Sequence, residues 1–550
     1  IQNDDADFTV TTTANSIVVT DSSSNGSTLQ ASEPSANNLR FDAAGRTFSV
    51  NGGAPISGNS GNLALAGITS ISVNATGGVS VASGASFNIG ASTYASASSI
   101  TLAGGTLNTT GTTAVVNAPI VLSADSDVAG TMTLGGAISG NFTLRTFGSG
   151  NYRFASTAST FARLQITSGT VLLAGNNTLP PQIDIFNSSS FDLNGFSQTV
   201  DFYASSGSTL NTGVAANLSI GMAGSASSFG SANYTGQISG PINLTIAAGA
   251  DQTLGSNSSS YTGTTNVLGT LRITGINALG ATGAGNGTTV AATGVLDFRN
   301  VGYAGSESLT VNGGTLTTGT GVSSFPGSIV LNTSSAIFSV VGSSTLTLGG
   351  VISGSQGFDK TDGGTLVLTQ ANTFNGPIVS SLGNLRLIGS TAVSSAVTIN
   401  NGTLSGTGTI GGPLSMSDGN LSPGVAATTG ILHTANVVLA PAAINVLLDI
   451  TGPTLGSEYD QLDVNGTIDL GSANLLVGGS FVPSIGQSFT VIDNDGSDAV
   501  TGTFAGLPEG ATRVFNGVPL VISYVGGDGN DVETILRERA AGLFRNFSSL

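Results

Sequence analysis

The sequence predicts an all-β protein in which short strands stack into a β-solenoid, and three observations lead to this fold class. The chain has 550 residues, of which 81 are Gly and 8% are charged, whereas an average globular domain has about 7% Gly and about 25% charged residues. Val, Ile and Leu alternate with Thr, Ser and Asn in short runs that show no helical period. The same strings also recur at long intervals, which is typical of repeat architectures.

The composition excludes several other classes of protein. A hydrophobic fraction of 39% argues against a disordered chain. A net charge of −17 lacks the clustered Lys and Arg of a nucleic-acid-binding surface, so we expect no nucleic-acid partner. The chain has no Cys and begins at Ile1 rather than Met, which favours an exported protein whose signal peptide has been removed. No apolar run reaches the roughly 18 residues of a transmembrane helix, so we expect no membrane-spanning segment.

Internal repeats organise the middle of the chain into three long copies. The string GGTL begins at three places, Gly104, Gly313 and Gly363. Within this middle part, the string ISG begins at Ile138, Ile238 and Ile352. Alignment of the segments that precede ISG makes three leucines equivalent, Leu107, Leu210 and Leu316. Each ISG is followed by a shared unit that begins ASTFA at residue 158, SSYTG at residue 259 and ANTFNG at residue 371.

These repeats contain strands and turns but no helical segments, so βαβ units are excluded. A chain that stacks each strand on its predecessor buries all its inward side chains in one continuous core. In residues 359–389 we expect six side chains to point inward: Leu366, Leu368, Phe374, Ile378, Leu385 and Leu387.

The predicted organisation has four parts. Residues 1–60 form N-terminal strands or a cap, and residues 61–440 form the solenoid, with long repeats at about 104–207, 208–312 and 313–400. Residues 441–532 form a β-rich C-terminal cap domain, and residues 533–550 form an amphipathic tail. Apolar residues at a helical period in 531–550 predict a short C-terminal helix with Asp531 as its N-cap. This helix either covers the open end of the solenoid or docks on another subunit.

Two regions resemble a known family. The segment GGTLVLTQANTFNGPIVSSLGNLRLIG, residues 363–389, resembles the autotransporter-associated β-strand repeat of bacterial surface proteins, and so does the segment at residues 401–424. The segments YDQLDVNGTIDLGSANLLV from Tyr459 and ISYVGGDGNDVE from Ile522 resemble the C-terminal end of repeat-bearing passenger regions. The resemblance covers roughly residues 104–533 and implies a right-handed parallel β-helix at the cell surface. The sequence departs from the full layout because it shows no C-terminal run of strands for a translocator barrel.

Two acidic motifs are weak candidates for calcium. DNDGSD contains Asp493, Asp495 and Asp498, and GGDGND contains Asp528 and Asp531. The second motif matches one unit of a calcium-binding repeat. Calcium requires six to eight oxygens, and each motif occurs once. The other interpretation is that Asp, Asn and Gly here form tight turns.

Catalytic residues are not predicted. Carboxylates of the solenoid are isolated in the sequence: Asp192, Asp201, Asp297, Asp359 and Asp362. Asp359 and Asp362 flank Lys360 and could meet at one edge of the solenoid, although we favour solvated turns. His433 lies in an alternating strand and is expected to point outward, without the G-x-S-x-G motif of a serine hydrolase.

We therefore expect a non-enzymatic, extracellular structural or adhesive protein of the bacterial surface, without a cofactor. It would contact a surface glycan or the cell envelope. A head-to-tail fibre is expected if residues 1–20 and 531–550 contact the opposite ends of neighbouring subunits. The alternatives are a polysaccharide-acting β-helix enzyme and a monomeric secreted stalk that presents a partner.

Overall fold

The fold is described from a computed structural model of the chain. It describes residues 79–536 except 85, 90–92, 95–98, 110–113, 222–230, 426–427 and 441–442, and it gives the backbone alone for residues 82 and 88 and for the strands between residues 8 and 75. The described residues form strands and turns, and no helix among them has the length and apolar character needed to cross a membrane. The chain divides into two compact units, Ile1–Thr288 and Thr289–Leu550.

The first unit is a parallel β-solenoid with three faces, and each coil contributes up to one strand to each face. The first face contains Phe8–Thr12, Ser16–Asp21, Thr47–Val50, Val79–Ala82, Ile100–Ala103, Ile120–Ala124 and Ile138–Ser139, and later Gln198–Val200, Ala216–Ile220, Ile242–Ile246 and Thr264–Val267. The second face contains Thr28–Ala31, Asn62–Leu65, Ser86–Asn88, Thr106–Asn108, Ser126–Ala129, Thr143–Phe147, Arg163–Ile166, Asp184–Asn187 and Phe202–Ala204, and later Ala232–Tyr234, Asp251–Leu254 and Thr270–Ile273. The third face contains Asn38–Ala43, Ser70–Ala75, Thr93–Tyr94, Ala114–Val116, Met132–Leu134, Asn151–Phe154, Thr170–Leu173, Ser190–Asp192, Ser208–Leu210, Ile238–Gly240 and Ser260–Tyr261.

The register of the first unit stacks aliphatic side chains coil on coil. Ile100 pairs with Ile120, and Ile120 pairs with Ile138, so successive coils differ slightly in length while the same residue type returns to the same position. All three side chains are buried. The first strand, Phe8–Thr12, pairs antiparallel with Ser16–Asp21 and forms the edge of its sheet.

The second unit has the same parallel architecture, and the strand Gly287–Val290 lies at the division between the units. One sheet contains Val295–Phe298, Thr315–Thr318, Ala336–Val340, Phe358–Thr361, Ile378–Ser380, Val397–Ile399, Leu414–Met416, Val437–Leu439 and Ile468–Asp469. A second contains Val322–Phe325, Thr345–Leu348, Thr365–Leu368, Asn384–Leu387, Thr403–Gly406, Gly419–Pro423, Ile444–Asp449 and Asn474–Gly478. The faces of this unit are numbered independently of those of the first unit. Its third face contains Leu309–Val311, Ile329–Leu331 and Ile352–Gly354. Later in the chain, the same face contains the sheet of Thr409–Ile410, Ile431–Thr434, Gln461–Val464, Ser488–Asn494, Asp531–Leu536, Val518–Gly526 and Thr512–Phe515.

The core of the second unit confirms the predicted inward residues. A leucine ladder runs through Leu366, Leu385, Leu404 and Leu421, which pair in register and are at most 1% exposed. All six side chains that the sequence placed inward in residues 359–389 are buried. Burial of an aliphatic side chain contributes roughly 1.5–3 kcal/mol, so such ladders are the main source of stability.

The shared units after each ISG string use the same local contact. The backbone N–H of Ile138 donates to Ser159 Oγ at 3.1 Å, and that of Ile238 donates to Ser259 Oγ at 3.3 Å. In the third copy, Ile352 N–H donates to Asn372 Oδ1 at 2.9 Å. A side-chain oxygen one coil later thus accepts the N–H in every copy, while the limits of the long repeats stay predictions.

One predicted equivalence is wrong. Leu107 and Leu316 are fully buried, but Leu210 is partly exposed and Thr209 occupies the inward position of its strand. Thr209 fits there because its hydroxyl bonds Tyr234 Oη at 2.6 Å inside the core. Leu210 also lies on the third face of the first unit, whereas Leu107 lies on its second face, so the second copy is displaced by a strand of the coil.

The C-terminal part differs from the prediction in one respect, the helix, whereas the limits of the predicted cap domain stay a prediction. Parallel pairing continues past residue 440, since Gln461–Val464 pairs in parallel with Ile431–Thr434 and with Ser488–Asn494. The predicted helix is wrong over Asp531–Leu536, which is a strand lying between Ser488–Asn494 and Val518–Gly526. Both of its edges are occupied by neighbours, so its backbone cannot add to another subunit. Residues 537–550 lie outside the described residues, so the rest of the predicted tail stays a prediction.

Candidate functional site: an acid–base pair in a groove of the second unit

The candidate site lies on the outer surface of the third face of the second unit. Three parallel strands place Thr409, His433 and Asp463 in register, on successive coils. Their neighbours in the same strands, Leu432 and Leu462, are buried. Because side chains alternate along a strand, the three polar residues point outward. This outcome confirms the outward position predicted for His433.

His433 and Asp463 form a direct contact. The imidazole Nδ1 lies 2.5 Å from Asp463 Oδ2, and the two side chains are 44% and 37% exposed. A carboxylate at one ring nitrogen favours the tautomer with the proton on that nitrogen, which leaves Nε2 as the free acceptor. The pair therefore presents an oriented imidazole to solvent.

A groove of about 550 Å³ runs beside this pair. Its lining combines aliphatic, hydroxyl and amide groups with the imidazole and the carboxylate: Val393, Thr409, Ile410, Gly411, His433, Thr434, Ala435, Asp463 and Asn465. Val393 is 82% exposed, so one wall of the groove is apolar and open. Apolar walls with a few polar groups are the usual composition of a small-ligand site.

A second carboxylate lies on the next strand. Asp493 pairs in register with Asp463, and parallel neighbours are about 4.8 Å apart. Burial raises the pKa of Asp493, and the carboxylates of Asp463, Asp528 and Asp495 raise it further. The outer surface beyond the groove is therefore crowded with negative charge.

The sequence did not predict the role of Asp463. It lies 30 residues from His433, and no motif connects the two. The sequence did contain one indication of its position, the alternation of apolar and polar residues in YDQLDV. Leu462 and Val464 are buried, so Asp463 between them points outward.

Lys360 and its flanking carboxylates do not form a catalytic group. Lys360 is fully buried, and its Nζ donates to the backbone carbonyls of Asp362 and Leu382, both at 2.6 Å. Burial lowers its pKa to about 8, against the opposing effect of the Asp362 carboxylate. Asp362 has a positive φ of 64°, and its carboxylate accepts from Ser339 Oγ at 2.7 Å. Lys360 thus holds a turn of the backbone.

Two of the other isolated carboxylates also have structural contacts. Asp192 is buried and accepts from Thr212 Oγ1 at 2.7 Å. Asp297 is buried and pairs with Arg299 Nε at 2.6 Å. These contacts hold loops and strands in place, so neither carboxylate is a free acid.

The calcium candidates lie in two of the last strands and in the turns beside them. Asp495 Oδ1 accepts from Gly466 N–H at 2.7 Å, and Asp531 Oδ1 accepts from Asn494 N–H at 3.0 Å. Asp493, Asp498 and Asp528 are exposed. Within the described ranges, no three His, Cys, Asp or Glu side chains are grouped so as to hold a metal ion.

The fold and the groove together define a three-faced parallel β-solenoid that carries an outward acid–base pair. No model of a known protein family matches the chain. The chain is similar to the extracellular serine protease of Serratia marcescens, with 31% identity over 182 residues. That match covers 32% of this chain and 17% of the protease, so the chain spans less than a fifth of that relative.

Two solved structures are similar at low scores. The Hap adhesin of Haemophilus influenzae matches with a TM-score of 0.36 and 11% identity, over 91% of this chain and 64% of that one. The passenger domain of plasmid-encoded toxin, an autotransporter enterotoxin of enteroaggregative Escherichia coli, matches with a TM-score of 0.32 and 12% identity, over 94% and 73%. Scores this low carry no argument about function.

Proposed function

We propose that this protein is a non-enzymatic β-solenoid of the bacterial cell surface that binds through its outward polar side chains. One observation carries the proposal. Seven polar residues occupy the same outward position on successive coils of the second unit and are named here the polar ladder: Thr345, Thr365, Asn384, Thr403, Asn420, Asn445 and Asn474. All seven are half-buried.

The polar ladder suits contact with a glycan or an envelope surface. Its amides bond one another, as Asn445 Nδ2 donates to Asn420 Oδ1 at 3.0 Å and Asn474 Nδ2 donates to Asn445 Oδ1 at 3.2 Å. Amides and hydroxyls at a repeat of about 4.8 Å offer many weak hydrogen bonds to an extended partner. None of these groups titrates near neutral pH, so the polar ladder has no acid or base for catalysis.

A location outside the cell is part of the proposal. The similar protein of Serratia marcescens is an extracellular protease, which supports this location. A net charge of −17 also favours the solubility of an exposed protein.

The test uses intact cells and the purified protein. Antibody against the protein should label cells that have not been permeabilised, and purified protein should bind a glycan array or isolated cell envelopes. Thr365→Asp should weaken this binding because it adds a charge to the polar ladder. Ser415→Asp is the matched control, since Ser415 is exposed on a different sheet. Labelling that requires permeabilised cells, or equal loss of binding in both variants, would contradict the proposal.

Assembly into a head-to-tail fibre is a finer proposal. The strands Phe8–Thr12 and Thr512–Phe515 are the edges of their sheets, and unpaired edges favour the addition of another strand. Light scattering at increasing protein concentration should show growing mass, and Val514→Pro should stop this growth by removing an N–H from the second edge. Constant monomer mass at high concentration excludes the fibre.

A polysaccharide-acting enzyme is the second candidate because Asp463 and Asp493 lie on neighbouring strands next to the groove. Glycosidases use two carboxyl groups at about 5–9.5 Å. If this candidate is correct, Asp463→Asn and Asp493→Asn should each abolish release of reducing sugar from a polysaccharide panel, while Asp418→Asn on an exposed turn should not. Absence of sugar release by the unmodified protein would leave the binding function as the better proposal.

A further inference from the structure

Two buried amide oxygens near the last strands lack hydrogen-bond partners. Asn494 is 1% exposed and Asn530 is 4% exposed, and the Oδ1 atom of each makes no hydrogen bond. A buried polar atom without a partner costs roughly 1–3 kcal/mol. Two such atoms close together therefore indicate a missing ligand.

The strand register brings the two amides together. The antiparallel pairing of Ser488–Asn494 with Asp531–Leu536 places Ile492 opposite Val532. Asn494 is the last residue of its strand and Asn530 directly precedes the first residue of the other strand, so both lie at the same end of this antiparallel pair.

Their amide nitrogens meet at one carbonyl. Asn494 Nδ2 donates to the backbone oxygen of Asp498 at 2.5 Å, and Asn530 Nδ2 donates to the same oxygen at 3.1 Å. Asn530 Nδ2 also lies 3.3 Å from the backbone oxygen of Asp495. These bonds fix the orientation of both amides, because exchanging oxygen and nitrogen would place two acceptors against each other.

A buried carboxylate completes the cluster. Asp531 is 7% exposed, and its Oδ1 accepts from the backbone N–H of Asn494. The carboxylates of Asp493, Asp528 and Glu533 lie near enough to repel that of Asp531. A bound cation would offset this repulsion.

We propose that Asn494 Oδ1, Asn530 Oδ1 and the carboxylate of Asp531 bind a calcium ion. The ligands are hard oxygen atoms, which Ca²⁺ prefers, and the cluster has none of the Cys or His ligands that dominate zinc sites. Water completes the coordination. The side chains of Asp495 and Asp498 take no part, since they contribute only backbone oxygens to the network. The ion fastens the loop of residues 495–498 and the turn of residues 527–530 to the last strands of the sheet.

The test measures binding of calcium chloride to the full chain after removal of metal with a chelator. Isothermal titration should show one saturable site, and Ca²⁺ should raise the melting temperature while NaCl of equal ionic strength does not. Asp531→Asn should weaken binding at least about tenfold. Asp498→Asn is the matched control and should change affinity less than about twofold, because its backbone oxygen is retained.

A second pair of variants keeps the test valid if Asp531→Asn fails to fold. Asn530→Asp adds a charged ligand of the same shape, so it should lower the melting temperature in chelator and bind Ca²⁺ more tightly. Asn401→Asp, at an exposed bend of the same unit, should do neither. Extracellular calcium modules bind at about 0.1–1 mM. The proposal would be overturned if titration to calcium concentrations well above this range showed no saturable binding. Equal effects of Asp531→Asn and Asp498→Asn on the calcium affinity would also overturn it.

Discussion

Lys360 Nζ donates to the backbone carbonyl of Leu382 at 2.6 Å, from a side chain with no exposed surface. The contact joins two successive coils of the second unit. Lys360 is the only Lys in the sequence, and it lies between Phe338 and Ser380 in register. The single Lys ammonium group of the chain is therefore a structural group of the core.

The stability of the protein should increase with pH above about pH 8. Burial lowers the pKa of Lys360 to about 8, whereas an unfolded chain has a Lys pKa of about 10.4. Between these values the unfolded state binds more protons, so the free energy of unfolding rises with pH by at most about 3 kcal/mol. Below pH 8 both states are protonated and this contribution is constant.

Urea unfolding at pH 7.5, 9 and 10 measures this dependence. Lys360→Met removes the titrating group and should flatten the curve over this range. Burial raises the pKa of Tyr203 to about 12 and also raises that of Tyr152, so these groups lower the stability at high pH in both proteins, and the difference between the proteins is the quantity to compare. An identical rise in both proteins would contradict the assignment.

Leu366→Asp should strongly destabilise the second unit, while Thr365→Asp should be nearly silent. Leu366 is fully buried in the leucine ladder, and an unpaired charge there has no compensating contact. Thr365 is half-buried and points outward, so its substitution should cost within about 0.5 kcal/mol. If Leu366→Asp does not fold, Leu366→Ala replaces it in the comparison and should lower the free energy of unfolding by about 2–5 kcal/mol. Equal losses in Leu366→Asp and Thr365→Asp during urea unfolding would show that the register is wrong.

Gly406→Ala should destabilise the protein by at least about 2 kcal/mol. Gly406 has a φ of 129°, and a Cβ there would lie 1.8 Å from the backbone oxygen of Leu387. Gly363→Ala is the matched control, because its φ is not positive and its Cβ would lie 3.8 Å from the nearest atom. Thermal unfolding of the two variants separates the effects, and similar melting temperatures would refute the close approach at Gly406.

The contact between His433 and Asp463 should contribute little to stability. Both side chains are more than one-third exposed, and exposed ion pairs contribute about 0.2–1 kcal/mol. A double-mutant cycle with His433→Ala and Asp463→Ala should give a coupling energy in this range that decreases at high salt concentration. A coupling energy well above this range, insensitive to salt, would indicate a structural pair.

Much of the fold could be predicted because one rule, alternation along a strand, decides which side chains are buried. The rule placed Leu385 and Leu387 inward, and it also applied to Lys360, which lies two positions after inward Phe358. The prediction that Lys360 would be solvated followed the usual cost of burying a charge. Three carbonyl acceptors at the corner of the coil offset that cost here.

The candidate site could not be predicted because the coils differ in length. Thr409 pairs with His433 across a long coil, whereas Val397 pairs with Leu414 across a much shorter one. No fixed spacing therefore links His433 to Asp463. The prediction of a C-terminal helix was wrong for another reason. Val532, Thr534 and Leu536 are buried at a period of two. In so short a segment, the sequence pattern of a strand cannot be distinguished from that of a helix.

The equal spacing of Thr365, Asn384 and Thr403 makes a single coil a removable part of this protein. Thr365 pairs with Asn384 and Asn384 pairs with Thr403, so two successive coils have the same length. Gly383 and Gly402 both have positive φ before the strand begins. Excision of the segment 384–402 would join Gly383 to Thr403 and bring Leu404 onto Leu366, so the shortened chain would close over the gap. A deletion shorter by a single residue would leave one extra residue for a turn to absorb, as turns do elsewhere in the chain where successive coils differ in length, whereas removal of the whole coil leaves every turn unchanged.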